Sequence, residues 1–164
     1  MTKTLLLILT LLSHTGGEPI TRPMLSWEDF KAPVPENEPT VGARTVTSIG
    51  FESTDSAGLF TCHVTAEFLP NESWVRVRSD YNLRHELTHY RISLLEVALC
   101  NKALSKYQNK PLPSIKPVMK IYNHYQQEID FLNQEFDRDT AHGLHEAIEK
   151  IWESRIENEL NKLQ

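Results

Sequence analysis

The hydrophobic period of this chain changes once, near residue 79, and that change limits the folds open to it. From Leu59 to Phe68 the residues Phe60, Cys62, Val64, Ala66 and Phe68 alternate with Thr61, His63, Thr65 and Glu67. A period of two is that of a strand buried on one face. Thr45 to Glu52 alternates in the same way, with a turn expected at Ser53 to Gly58, and Ser73 to Arg78 gives a third short strand. Beyond residue 79 the period becomes helical. Ser79 or Asp80 can cap a helix running to about Tyr107, where Pro111, Leu112 and Pro113 interrupt the pattern. Val118, Ile121, Tyr122, Tyr125, Ile129, Leu132 and Phe136 mark a second amphipathic helix. Leu144, Ile148, Ile151, Trp152, Ile156, Leu160 and Leu163 mark a third. Strands followed by helices predict an α+β domain, an N-terminal antiparallel or mixed sheet followed by three long helices.

Two stretches precede the sheet. Lys3, the apolar run Leu5 to Leu12 and the small or polar residues Ser13 to Gly17 have the layout of an export signal. The run falls short of the about 20 residues that a bilayer span needs. Residues 1–17 are therefore expected to be a signal peptide and residues 18–164 a single domain. That domain would be exported, periplasmic or secreted, with no stable membrane insertion after cleavage. Glu18 to Thr40 holds five of the nine prolines and reads as an irregular arm pinned to the core by Trp27 and Phe30. A formal net charge of -5 offers no basic field to hold phosphates, so nucleic acid is not the expected partner. Oligomeric state is left open. In an oxidising compartment Cys62 and Cys100 are a candidate disulfide, stapling strand to helix.

The chemistry is concentrated at His85, Glu86, Leu87, Thr88 and His89, an HExxH motif inside the first long helix. Histidines four apart lie about 40° apart around a helix and one turn along it, so both imidazoles can reach one metal ion. Glu86 flanks that face, where its carboxylate can take a proton from a metal-bound water without being a ligand. Neutral imidazole suits Zn²⁺, and a catalytic zinc takes a third protein ligand while keeping a position open. Glu96 is about 10 Å further along the helix axis and is discounted. His63 and His124 fall on polar faces and read as surface residues. His142, beside Gly143 at the break before the third helix, and His145 both remain as third donors, with His142 slightly ahead on placement.

The HELTH pentapeptide is similar to that of thermolysin-like zinc peptidases. The wider layout resembles a bacterial family described as predicted secreted zinc-dependent proteases. That family carries a Trp-x-Asp-Phe cluster, a Ser-Trp pair before the metal helix, HExxH followed by an aromatic, and an Asp-x-x-Thr-x-His-Gly segment. Here these are Trp27, Asp29 and Phe30; Ser73 and Trp74; His85, Glu86, His89 and Tyr90; and Asp137, Thr140, His142 and Gly143. The resemblance implies a zincin-like fold, a Zn²⁺ cofactor, His142 as third ligand, and Asp137 orienting a ligand through its far ring nitrogen. The chain departs from the pattern at Arg91, where a polar or acidic residue is expected, and at Phe136, where Tyr is expected. Without a Tyr hydroxyl there, His145 or Tyr90 would have to hold the developing oxyanion. Trp27, Phe30, Trp74 and Trp152 read as core aromatics.

These residues together predict a secreted zinc metallopeptidase acting on a peptide or protein substrate, with Glu86 as the base. An extended substrate is expected along Ser73 to Arg78, taken as an edge strand. The competing readings are a non-catalytic zinc-binding interaction module closed by His145 or Asp137, a zinc hydrolase of a cell-wall amide, and a metal-free α+β protein.

Overall fold

In the computed structural model, residues 24–163 are described, and the expected signal peptide lies outside them. The element order is β1 (Ala43–Arg44), β2 (Thr47–Ser56), β3 (Leu59–Phe68), β4 (Trp74–Val75), α1 (Asp80–Leu104), α2 (Lys116–Thr140) and α3 (Glu146–Asn161). This is the expected α+β order. The strands, however, form two separate antiparallel pairs, β2 with β3 and β1 with β4, rather than one sheet. β2 continues past Glu52 to Ser56, and the reversal is confined to Ala57 and Gly58, both with positive φ. Left-handed backbone at both positions of a two-residue loop matches the twist of the strands it joins.

The Ser73 to Arg78 segment does not become a cleft-side edge strand. The backbone N–H groups of Arg76 and Val77 both donate to Gly42 O, and only Trp74–Val75 pairs with Ala43–Arg44. The Ser73 hydroxyl accepts from Val46 N at 2.9 Å, tying this turn to the entry of β2.

One face of β3 buries Phe60, Cys62, Val64, Ala66 and Phe68, as its alternation requires. Most of that face packs on Val97, Cys100 and Leu104 of α1 and on Val118 and Ile129 of α2. Phe68 joins Phe30 and Tyr90 in a second cluster that also holds Leu25 and Leu87. The Asp29 carboxylate accepts from both the backbone N–H and the hydroxyl of Ser26, which fixes the one-turn helix that brings Phe30 inward. Cys62 and Cys100 share the first cluster as free buried thiols, so the expected disulfide is absent. Burial pushes both thiols up in pKa, and the Gln108 amide lies 3.5 Å from Cys62 Sγ.

The outer edge of β3 is satisfied by side chains. Asn101 accepts from Val64 N at 2.9 Å and donates to Val64 O at 2.8 Å. Gln108 does the same for Cys62 N and O, at 3.0 and 2.6 Å. Two amides thus stand in for a neighbouring strand and account for backbone groups that would otherwise be buried without partners.

Ser79 caps α1 by accepting from Asn82 N. α2 tolerates Pro117 in its first turn, where no helical N–H partner is needed. The buried stripe of α3 is Glu149, Trp152 and Ile156, packed on Ile92, Leu95 and Phe136. Leu144, Ile148 and Ile151, read from periodicity as part of that stripe, are exposed, because α1 meets α3 on the adjacent face. No helix among the described residues is long and apolar enough to cross a membrane.

Replacing Asn101 by Leu removes both hydrogen bonds to Val64 and leaves a backbone donor and acceptor without partners. The expected loss is about 2–3 kcal/mol in urea unfolding, with the chain still folded in water.

Candidate metal centre

Helix α1 places His85 and His89 one turn apart, with their Nε2 atoms 3.2 Å from each other. The last turn of α2 brings Asp137 Oδ1 to 3.3 Å from His85 Nε2 and 3.1 Å from His89 Nε2. These three are the group among the described residues that could hold a metal ion. Donors about 2.0–2.2 Å from a tetrahedral ion lie roughly 3.3–3.5 Å apart, close to the separations found. Two imidazole nitrogens and one carboxylate oxygen therefore fit a metal ion. The group forms part of the wall of a cleft of about 820 Å³, with Glu86, Gly42, Arg44, His142 and Leu144 among its other lining residues.

Each imidazole is fixed by its other nitrogen or its faces. His89 Nδ1 lies 2.8 Å from Asn133 Oδ1, while Asn133 Nδ2 donates to Ile129 O at 2.9 Å. The amide oxygen is thus the acceptor for an N–H on His89 Nδ1, an arrangement that leaves Nε2 free to offer its lone pair to a metal ion. The His85 ring stacks on Phe136 with centroids 4.7 Å apart and an interplanar angle of 25°. Its Nδ1 faces the buried carboxylate of Glu149, 3.6 Å away, an ion-pair distance longer than a hydrogen bond. Gly143 lies against the same ring, where a Cβ would come within 3.3 Å of Nδ1.

The turn between α2 and α3 puts these groups together. Ala141, His142 and Gly143 have φ values of 50°, 55° and 79°, three left-handed residues in succession. Buried Thr140 organises them: its hydroxyl donates to Phe136 O, and its carbonyl accepts from Leu144 N and His145 N. His142 N donates to Asp137 O at 2.7 Å. The Asp-x-x-Thr-x-His-Gly segment thereby gains a physical meaning, with Asp137 in the donor group, Thr140 holding the turn and Gly143 packed on His85.

The sequence expectations for this segment need correction. Asp137 Oδ1 stands within 3.3 Å of both Nε2 atoms, where it could hold an ion itself, whereas the resemblance implied that it orients a ligand. His142 is not in the group; its side chain is 80% exposed and its Nδ1 lies 3.7 Å from Asp137 Oδ1. His145 is exposed at the start of α3 and does not line the cleft. Tyr90 is fully buried against Phe68, away from the cleft, so neither of the expected oxyanion donors is placed there. Phe136, where the family pattern has Tyr, packs against both histidine rings. Glu96 stands outside the group, and His63 and His124 are exposed.

Two residues were not anticipated. Asn133 precedes Asp137 by four positions, the same spacing as His85 and His89, so two pairs on facing helices meet. Glu149 shares the Trp152 and Ile156 stripe of α3, and a carboxylate on an apolar helix face was the available signal.

Without a metal, burial works against charge on the His85 ring. The carboxylates of Asp137, Glu149 and Glu86 outweigh it and push its pKa up to about 9. Burial also opposes charge on Asp137, but His85 and His89 hold its carboxyl well below the ordinary carboxylate range. No family model, curated protein or solved structure matches the chain.

A His whose folded pKa exceeds its unfolded value of about 6.5 stabilises the fold below that pH, and the stabilisation is lost as pH rises through the folded value. Chelator-treated protein is therefore expected to lose up to roughly 3 kcal/mol between about pH 6.5 and pH 9 in denaturant titrations, and His85→Gln to lack this decline. Left-handed backbone costs a non-glycine residue about 1 kcal/mol. Ala141→Gly should accordingly raise stability by about that amount in the same assay, and Gly143→Ala should lower it by at least as much.

Proposed function

We propose that this chain is an exported zinc-dependent peptidase that hydrolyses peptide bonds in the cleft beside His85, His89 and Asp137. The carrying observation is the convergence of two Nε2 atoms and one carboxylate oxygen, 3.1–3.3 Å apart, on the wall of an open cleft that Glu86 also lines. A nitrogen-rich set with one carboxylate suits Zn²⁺, and three protein donors leave the fourth position for water or substrate. When bound, Zn²⁺ would supply the Lewis acidity that makes water nucleophilic near neutral pH and polarises a carbonyl.

Glu86 is buried, lines the cleft and stays outside the donor group. It accepts one proton as the water oxygen bonds to the scissile carbonyl carbon, and returns it to the nitrogen as the C–N bond breaks. Thr45 Oγ1 donates to Glu86 O at 3.2 Å and joins the cleft wall to this turn of α1. With Asp137 as donor, His142 is left at the cleft wall, where its ring can hydrogen-bond the developing oxyanion. The reading agrees with the resemblance to secreted zinc-dependent proteases in residue types and differs from it in assigning the third ligand to Asp137.

One observation favours a second reading. His142 Nδ1 is 3.7 Å from Asp137 Oδ1, near enough for a turn of the ring to bring a fourth donor and close the site as a non-catalytic zinc-binding module.

Zinc content and peptide-library cleavage, measured on the same samples, separate these readings. His85→Ala and Asp137→Ala should lose zinc, and His142→Ala should keep it. Glu86→Gln should keep zinc and lose roughly 10²–10⁴-fold in activity, the usual range for a general base. Zinc without cleavage of any peptide would favour the binding module, and cleavage of cell-wall amides alone would move the substrate class. A chain that takes up no zinc would sink the proposal.

A further inference from the structure

Helix α3 contributes no donor to the metal group, yet it places a charged side chain against one. Glu149 is 0% exposed, and neither of its carboxylate oxygens has a hydrogen-bond partner. His85 Nδ1 and the Tyr81 hydroxyl, both on α1, are likewise buried without hydrogen-bond partners. Glu149 Oε2 lies 3.6 Å from His85 Nδ1. A carboxylate held this deep is costly unless something answers it, and removing it in favour of an apolar residue often stabilises a fold. Its neighbours on α3, Trp152 and Ile156, would accept an apolar residue at this position without any change of pattern.

From this juxtaposition we infer that Glu149 is a positioning residue that couples metal occupancy to the docking of α3 on α1. The inference rests on the metal-binding part of the proposed function. An ion held at His85 Nε2 fixes the ring proton on Nδ1, the atom that faces Glu149. The ion also fixes the orientation of the ring and polarises that N–H, which strengthens the buried contact with the carboxylate between α1 and α3. The Tyr81 hydroxyl of α1 also faces Glu149 but does not touch the metal group, and the links of Arg84 to Glu146 at 3.8 Å and to Glu153 at 3.5 Å involve partly exposed groups screened by solvent. The buried His85–Glu149 contact is thus the polar link between α1 and α3 that responds to the ion. The metal group, built from α1 and α2, thereby controls how tightly the third helix is held.

The test titrates Zn²⁺ alone into chelator-stripped protein, wild type beside Glu149→Gln and Glu149→Leu. Affinity is read by competition with a chromophoric chelator, and order in α3 by hydrogen exchange across residues 146–161. In the wild type, zinc should slow exchange throughout α3. Both variants should bind zinc about 10–100-fold more weakly and lose the zinc-dependent slowing in α3, while remaining folded without metal. Wild-type affinity and wild-type slowing in Glu149→Gln would overturn this inference alone. Metal-free unfolding of both variants would also overturn it, by making Glu149 a support of the apo fold. Failure of the wild type to take up zinc would overturn the metal reading and this inference with it.

Discussion

Everything around the cleft depends on how the His85 ring is enclosed. Phe136 stacks on the ring, Gly143 lies against its Nδ1 side, and the Nε2 side meets His89 and Asp137. These contacts hold the second and third helices against the first at one place. α2 must end at Thr140, and the chain must reverse within a few residues. It does so through left-handed backbone at Ala141, His142 and Gly143, which seats Gly143 on the ring and stores strain at the two non-glycine positions.

α1 is the shaft of the domain. Its apolar face carries β3 and α2, its second and third turns carry the two histidines, and Tyr81 and Arg84 beside them reach toward α3. Because one helix serves all three tasks, the metal group is anchored in the same packing that holds the core. Thr45 and Thr47 extend this anchoring to the opposite wall of the cleft, through Glu86 O and the Ser93 hydroxyl. The irregular segment from Thr40 to Thr47 is thus tied to the helix at two places, although it forms only two residues of strand before β2.

Local pattern carried most of the fold. The alternation at Leu59–Phe68 and the helical spacings after residue 79 report which side chains are buried, and burial on one face is a property that neighbours in sequence reveal. HExxH is legible for the same reason, since the helix itself sets the spacing of its histidines. What stayed hidden depends on partners distant in sequence. Whether Asp137 or His142 meets the two rings turns on the handedness of three backbone residues. The failure of Trp74–Val75 to join the main sheet turns on which backbone groups Gly42 O accepts. Leu144, Ile148 and Ile151 misled the periodicity because an exposed apolar residue and a buried one look alike until the facing helix is known. Glu149 is hidden for the complementary reason: its charge argues for solvent, and its burial makes sense once His85 and Tyr81 stand beside it.

The turn that follows α2 also sets a rule about chain length. Loops between helices usually absorb an inserted or deleted residue with little effect. Here Asp137, Thr140, Gly143 and Glu149 each touch the same small volume from consecutive positions on one path, so one extra residue would displace every later member of the series. Any chain that builds its centre in this way must keep those four positions in fixed register, whatever else drifts. The spacing Asp-x₂-Thr-x₂-Gly-x₅-Glu downstream of HExxH is therefore a more discriminating fingerprint of this architecture than the pentapeptide, and it can be sought in sequences that share little else with this one.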